Sequence, residues 1–320
     1  MSLRPPAPGE IQLPAGGTIA RRPLGRTGVQ VSMLGLGGNH IARHRDEQEG
    51  IRLVRMAVDH GMDFLDNCWD YNQGRSEEWM GKALQGGYRA RSFLMTKIDG
   101  RTGSAATLQL EQSLRRLQTD VIDLVQLHEV IRMDDIARAF APGGAMEALQ
   151  QAQKAGKLRF IGFTGHKDPA IHLAMLEAGL ARGFRFDAVQ MPLNVMDAHY
   201  RSFEGQVLPV LRQHDIGVLG MKAMGDGVLL ESGVVSPREC LQYALGLPTS
   251  VVITGCDTVG VLEQALDVGM RFVRQGEDER RALLARTAAA AAGGQFELFK
   301  TSQRFDGTSQ HPHWLESAVL

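Results

Sequence analysis

Eight times between residues 31 and 254 a short, nearly unbroken apolar run is followed by an amphipathic stretch. The runs are VSMLGL (31–36), MDFLD (62–66), SFLMTK (92–97), VIDLVQL (121–127), RFIGF (159–163), FDAVQM (186–191), IGVLGM (216–221) and SVVIT (250–254). Continuous rather than alternating apolarity is what a strand covered on both faces requires, and such strands belong to parallel sheets flanked by helices. Between the runs, EQEGIRLVRMAVDHG puts Ile51, Val54 and Val58 on one helical face and stops at Gly61, a C-terminal helix signal. SEEWMGKAL offers Ser76 as an N-cap. Six further helix-like segments complete eight strand–helix pairs, which predicts an α/β chain closed into a (β/α)8 TIM barrel. An open doubly wound sheet is the competitor; the lack of any linker or composition break favours closure.

The barrel is expected over residues 18–293. Within it, residues 18–30 (TIARRPLGRTGVQ) read as a hairpin turning at Gly25 and Gly28 that plugs the barrel bottom. Residues 1–17 are rich in Pro and Gly and predict a disordered arm without a signal peptide. An Ala-rich helix (ERRALLARTAAAAA) precedes a tail, residues 294–320, which has no turn-by-turn periodicity and therefore no readable role. A formal net charge of −1 gives no bulk electrostatic attraction to nucleic acid or anionic membrane. Cys68, Cys240 and Cys256 form no CxxC and no paired framework, so the expected compartment is the reducing cytoplasm. Nothing in the pattern sets an oligomeric state.

Active sites of such barrels lie at the C-terminal ends of the strands. The second run ends at Asp66, the third at Lys97, and the fourth runs into His128, while Tyr71 follows in the loop NCWDYNQG. Three successive strands thus bring a carboxylate, an ammonium and an imidazole to one rim beside a phenol. A free phenol, with a pKa near 10, is a poor acid at neutral pH; a neighbouring ammonium is expected to lower that value, with Asp66 keeping Lys97 charged. A phenol can protonate an oxyanion but cannot deliver hydride, so the constellation calls for a nicotinamide cofactor.

These residues carry a resemblance. RRPLGRTGVQVSMLGLGG, GMDFLDNCWDY, LMTK, DVIDLVQLHE, GKLRFIGFTG, DAVQMPLN and VVITG…LEQAL make the chain resemble the aldo-keto reductases from residue 20 to about 270. The resemblance implies reduction of an aldehyde or ketone to an alcohol, with Asp66, Tyr71, Lys97 and His128 as the catalytic tetrad. It implies that Thr164, Gly165 and Gln190 meet the nicotinamide carboxamide, His166 compensating for the amide Gly165 lacks. Met221 takes the place of a stacking aromatic. Lys222, Ala223, Met224 and Gly225, in the loop MKAMGDG, wrap the pyrophosphate. Gly255, Asp257, Glu263 and Gln264 belong to the adenosine end. The family cofactor is NADP(H); Gly255 and Gly260 stand where NADP-specific members carry basic side chains, which keeps NAD(H) as the alternative.

GLGGNH (35–40) lacks the last glycine and the spaced acid of a dinucleotide fingerprint and reads as a strand-to-helix turn. Gly38 there borders the cofactor, and Asn39, His40 and Trp69 are expected to face substrate. His166, His172, His199, His311 and His313 have no zinc-like spacing, and no metal is expected. Two rival classes share this scaffold: a cofactor-binding regulatory subunit with little turnover, like the potassium-channel β subunits, and a Lys97 Schiff-base lyase.

Overall fold

The computed structural model describes residues 6–43 and 46–320. Eight parallel strands close on themselves: β3 (Leu34–Gly37), β4 (Phe64–Asp66), β5 (Phe93–Ile98), β6 (Ile122–Leu127), β7 (Leu158–Thr164), β8 (Ala188–Pro192), β9 (Gly217–Met221) and β10 (Val251–Gly255). Closure is made where β10 pairs with β9 on one side (Val251 with Leu219) and with β3 on the other (Val252 with Leu34). The apolar runs are therefore strands with helices outside and packed side chains inside, as their continuous hydrophobicity demands.

The hairpin differs from its expected extent. Its strands are β1 (Arg21–Pro23) and β2 (Gln30–Ser32), so the first apolar run is divided between the hairpin and the first barrel strand. Gly25 must lack a side chain, because a Cβ there would lie 2.5 Å from the backbone nitrogen of Gly217. The hairpin drives Leu24 and Val31, both fully buried, into the interior among Phe64, Phe93, Met95 and Leu124. There Phe93 stacks on Phe64 and Phe160 with ring centroids 5.1 and 6.3 Å apart. The barrel bottom is thus filled.

Helices follow the amphipathic segments closely. Helix Glu47–Asp59 ends before Gly61, whose φ is 85°. Ser76 corrects an expectation: helix Arg75–Ala83 starts one residue earlier, and the buried Ser76 hydroxyl donates instead to the Gly38 carbonyl at 2.7 Å. The segment at 202–215 breaks into Phe203–Gln206 and Leu208–Gln213, since Pro209 supplies no amide hydrogen. Of the arm over residues 1–17, residues 1–5 lie outside the described residues. Residues 6–17 form neither helix nor strand, yet the Gly9 amide donates to Glu263 at 2.7 Å and Gln12 accepts from Arg271. No helix among the described residues is long and apolar enough to cross a membrane.

The tail returns across the C-terminal face. Its root is a fully buried ionic cluster: Lys300 Nζ donates to Asp197 and to the Tyr200 carbonyl, both at 2.6 Å, and to Glu297 at 3.0 Å. Burial pushes Glu297 up to about 7, opposed by Lys300. Removing the single cation leaves two buried acids without their counter-charge, a change that typically costs ~3–5 kcal/mol. Lys300→Ala is expected to lower stability by that order, read as a drop in the denaturation midpoint at unchanged m-value; an unshifted midpoint would show that the cluster does not hold the tail.

Candidate active site

The rim expected from the strand ends exists. Asp66 closes β4 and Lys97 lies one residue before the end of β5, both almost wholly buried. Lys97 Nζ donates to Asp66 Oδ1, to the Asn67 carbonyl at 2.8 Å and to the Tyr71 hydroxyl at 3.1 Å. The ammonium therefore has all three hydrogens engaged and also lies 4.6 Å from the Tyr71 ring centroid. His128, directly after β6, meets Tyr71 edge to face at 5.8 Å between ring centroids. All four residues are brought together.

The electrostatics differ from the expectation in one respect. Burial, followed by the charge of Asp66, pushes the Tyr71 phenol well above its ordinary value near 10. Lys97 does not reverse that, because much of its charge is answered by Asp66. Tyr71 is consequently protonated throughout the neutral range. Burial likewise lowers His128, against the opposing charges of Asp70 and Glu129, so the imidazole is neutral near pH 7.

His128 Nδ1 lies 2.9 Å from Asp99 Oδ1, 3.2 Å from Cys68 Sγ and 3.6 Å from Asp70 Oδ1. Burial raises Asp99 to about 7, opposed by Arg101 and Lys97. Sequence reasoning passed over these three neighbours. The available signal was their position: Cys68 and Asp70 alternate in the loop after β4, and Asp99 lies two residues beyond Lys97.

A groove of about 580 Å³ runs from Asp66 and Tyr71 past Gln190 and Met221 to Gln264. The Gln190 amide donates to Asp66 at 3.2 Å, leaving its buried Oε1 without a partner. Asn39, Lys222, Ala223, Met224, Gly255 and Asp257 also line the groove. Burial lowers Lys222 to about 8 against the charge of Asp226. His40 Nε2 reaches Asp226 at 3.1 Å and Arg43 reaches it at 2.9 Å, linking the loops after β3 and β9 in the groove wall. Burial alone would raise Asp226, but hydrogen bonds from His40 and Arg43 hold it well below the carboxylate range. Gly255 is explained here: a Cβ would meet the His40 ring at 2.1 Å.

Other expected residues border the groove without lining it, Thr164 touching Met221 at its wall. Gly38, Thr164, Gly165, Gly225, Glu263 and Trp69 are not among the groove-lining residues. Gly165 packs against the Val130 carbonyl, 2.3 Å from where a Cβ would be, so no side chain fits. His166 Nε2 pairs with Asp306 of the tail at 3.0 Å. Trp69 is fully buried, donates to Gln112 at 2.6 Å and packs against Trp314 of the tail. Phe305, also from the tail, does line the groove and lies 4.5 Å over the Lys222 ammonium; an aperiodic segment held no signal for it.

Glu129 anchors this part of the tail. Its carboxylate accepts from the Gly307 amide at 2.9 Å, the Thr308 amide at 2.7 Å and the Thr308 hydroxyl at 2.8 Å.

A profile described as the Aldo/keto reductase family matches residues 33–241. The oxidoreductase YrpG of Bacillus subtilis is 31% identical over 229 residues, which is 64% of this chain and 67% of the relative. The aldo-keto reductase YhdN of the same organism is 29% identical over 221 residues, 63% of this chain and 61% of the relative. The chain thus spans roughly two thirds of the length of these curated relatives. Among solved structures, an aldo-keto reductase of Bacillus halodurans in its holo form matches with a TM-score of 0.69. It covers 84% of this chain and 96% of its own at 22% identity, a likeness of fold.

Glu129→Ala should release the tail from the rim. Loss of even ~1.4 kcal/mol of local stability speeds exchange roughly tenfold, so hydrogen exchange at Gly307 and Thr308 is expected to accelerate at least that much, with the strand amides unaffected. Unchanged protection would mean that other tail contacts suffice.

Proposed function

The chain belongs to the aldo/keto reductase family, and from that premise we propose that it reduces an aldehyde or ketone to an alcohol with a nicotinamide cofactor, Tyr71 being the proton donor. The observation that carries this reading is the Tyr71 hydroxyl, 3.1 Å from an ammonium whose other partners are Asp66 and the Asn67 carbonyl. The phenol is loaded with its proton before the reaction. As it gives that proton to a carbonyl oxygen, negative charge develops beside Lys97 Nζ, which already donates toward it. A preorganised donor of this kind stabilises the charge as it forms and needs no rearrangement. Asp66 holds the ammonium in place, and His128, with Nδ1 turned to Asp99, keeps Nε2 for another partner.

The groove fits the cofactor. The unpartnered Gln190 Oε1 suits a carboxamide N–H, Met221 offers an apolar wall, and Lys222 with Ala223 and Met224 offers a charge and backbone amides to phosphate. Bound there, the nicotinamide supplies the hydride. At the far end, Arg238 lines the groove and shares Asp267 with Arg271, so two cations face one carboxylate. That surplus positive charge supports NADP(H) over NAD(H), in place of the basic side chains absent at Gly255 and Gly260. Lys97 is a poor Schiff-base nucleophile, being 1% exposed and fully hydrogen-bonded. The three free, buried cysteines support a reducing, cytoplasmic compartment.

Tyr71→Phe is expected to cut kcat by about 10²–10⁴-fold, the range general acids contribute, while cofactor fluorescence titrations stay within a few-fold. Undiminished turnover would remove Tyr71 from the role. Arg238→Ala should weaken NADPH binding about tenfold, as losing a charge-assisted hydrogen bond does, and leave NADH binding unaltered. Equal losses for both cofactors would argue against recognition of the 2′-phosphate at Arg238.

A further inference from the structure

Behind the rim, four side chains of metal-ligating type converge. Cys68 Sγ, His128 Nδ1 and one carboxylate oxygen each from Asp70 and Asp99 lie within 4.8 Å of one another. Cys68 and Asp99 are fully buried and His128 nearly so. Around Nδ1 the separations are 2.9 Å to Asp99, 3.2 Å to Cys68 and 3.6 Å to Asp70. A tetrahedral zinc ion with bonds of about 2.0–2.3 Å sets its ligand atoms roughly 3.3–3.7 Å apart. Small side-chain rotations separate the two arrangements.

A second observation concerns charge. Asp99 Oδ2 and Asp70 Oδ1 are buried atoms with no hydrogen-bond partner. The two nearby cations are committed elsewhere: Lys97 to Asp66, Asn67 and Tyr71, and Arg101 to Asp135 and to the carbonyls of Asp99, His128 and Glu129. Among the described residues no Lys or Arg side chain pairs with the carboxylate of Asp70 or Asp99. Buried carboxylates normally pair or coordinate.

We propose that Cys68, Asp70, Asp99 and His128 form a binding site for a zinc-class divalent cation. The donor set selects that class: a thiolate and an imidazole suit a borderline-soft ion, and a closed set of four protein ligands suits a structural, tetrahedral one. Binding releases the Cys68 thiol proton and changes no oxidation state. It also moves the His128 proton to Nε2, because the coordinated nitrogen cannot keep it, and so fixes the tautomer of that imidazole. The site is thus a positioning device for the rim as well as a tie between the loops after β4, β5 and β6.

The test uses the full chain, free of any affinity tag and stripped with a chelator, titrated with Zn²⁺ alone and in parallel with Co²⁺; it involves no cofactor, so failure of the reductase reading leaves it intact. A single ion per chain is expected by elemental analysis, with a thiolate-to-cobalt charge-transfer band in the Co²⁺ form. Cys68→Ser should abolish that band. Asp99→Asn should weaken binding by at least the 10–100-fold that outer-shell changes cost at metal sites, and Asp70→Asn, at the more exposed ligand, gives a second reading should Asp99→Asn fail to fold. Two results would overturn the proposal: a folded protein that retains no ion, leaving the cluster a hydrogen-bonded network, or binding unaltered in Cys68→Ser and Asp99→Asn. The second result would move the ion to the surface, where His311 and His313 lie 6.0 Å apart.

Discussion

Closure of a parallel sheet governs this molecule. Once β10 pairs with β3, every strand is covered on both faces and most of its positions hold buried apolar side chains. Ionisable residues are thereby driven to the strand ends, and parallel strands share one C-terminal end. Asp66, Lys97 and His128 meet for that reason: three neighbouring strands stop at one rim, with the floor beneath closed by Leu24, Val31 and the stacked phenylalanines.

The rim concentrates charge in a dry place. Lys97 is held by Asp66, a backbone carbonyl and Tyr71, while Asp70, Asp99 and Cys68 crowd behind His128. Low polarity lifts Asp70, Asp99 and the phenol and lowers the imidazole, all in the direction of their neutral forms. A proton donor that stays protonated and an imidazole that stays neutral are consequences of that burial. The tail adds to it: Glu129 binds Gly307 and Thr308, Asp306 binds His166, and Trp314 covers Trp69, so that side of the rim is roofed by the last residues of the chain.

Where expectation and structure part, the cause is contact at long range. The phenol was expected to be acidified by its lysine; burial and Asp66 outweigh it. Trp69 was expected to face substrate, but the tail it packs against carries no periodic signal. Thr164 ends β7 and Gly165 follows it, yet the Val130 carbonyl fills the space beside Gly165. Glu263 is met by the Gly9 amide, a partner 254 residues away. Apart from Asp66, which precedes Tyr71 in the same loop segment, none of these neighbours is encoded near the residue it affects.

The sequence alone determined the barrel, the order of its strands, the hairpin under it and the four residues at the rim. Those follow from hydrophobic runs, from which polar residue ends each run and, for Tyr71, from its place in the loop after Asp66, all of them local properties. Tertiary structure alone decided the protonation states, the cluster of Cys68, Asp70 and Asp99 around His128, the His40–Asp226–Arg43 link in the groove wall and the path of the tail. These depend on which loops meet across the mouth, and on how much water is excluded where they meet, quantities that no window of sequence contains.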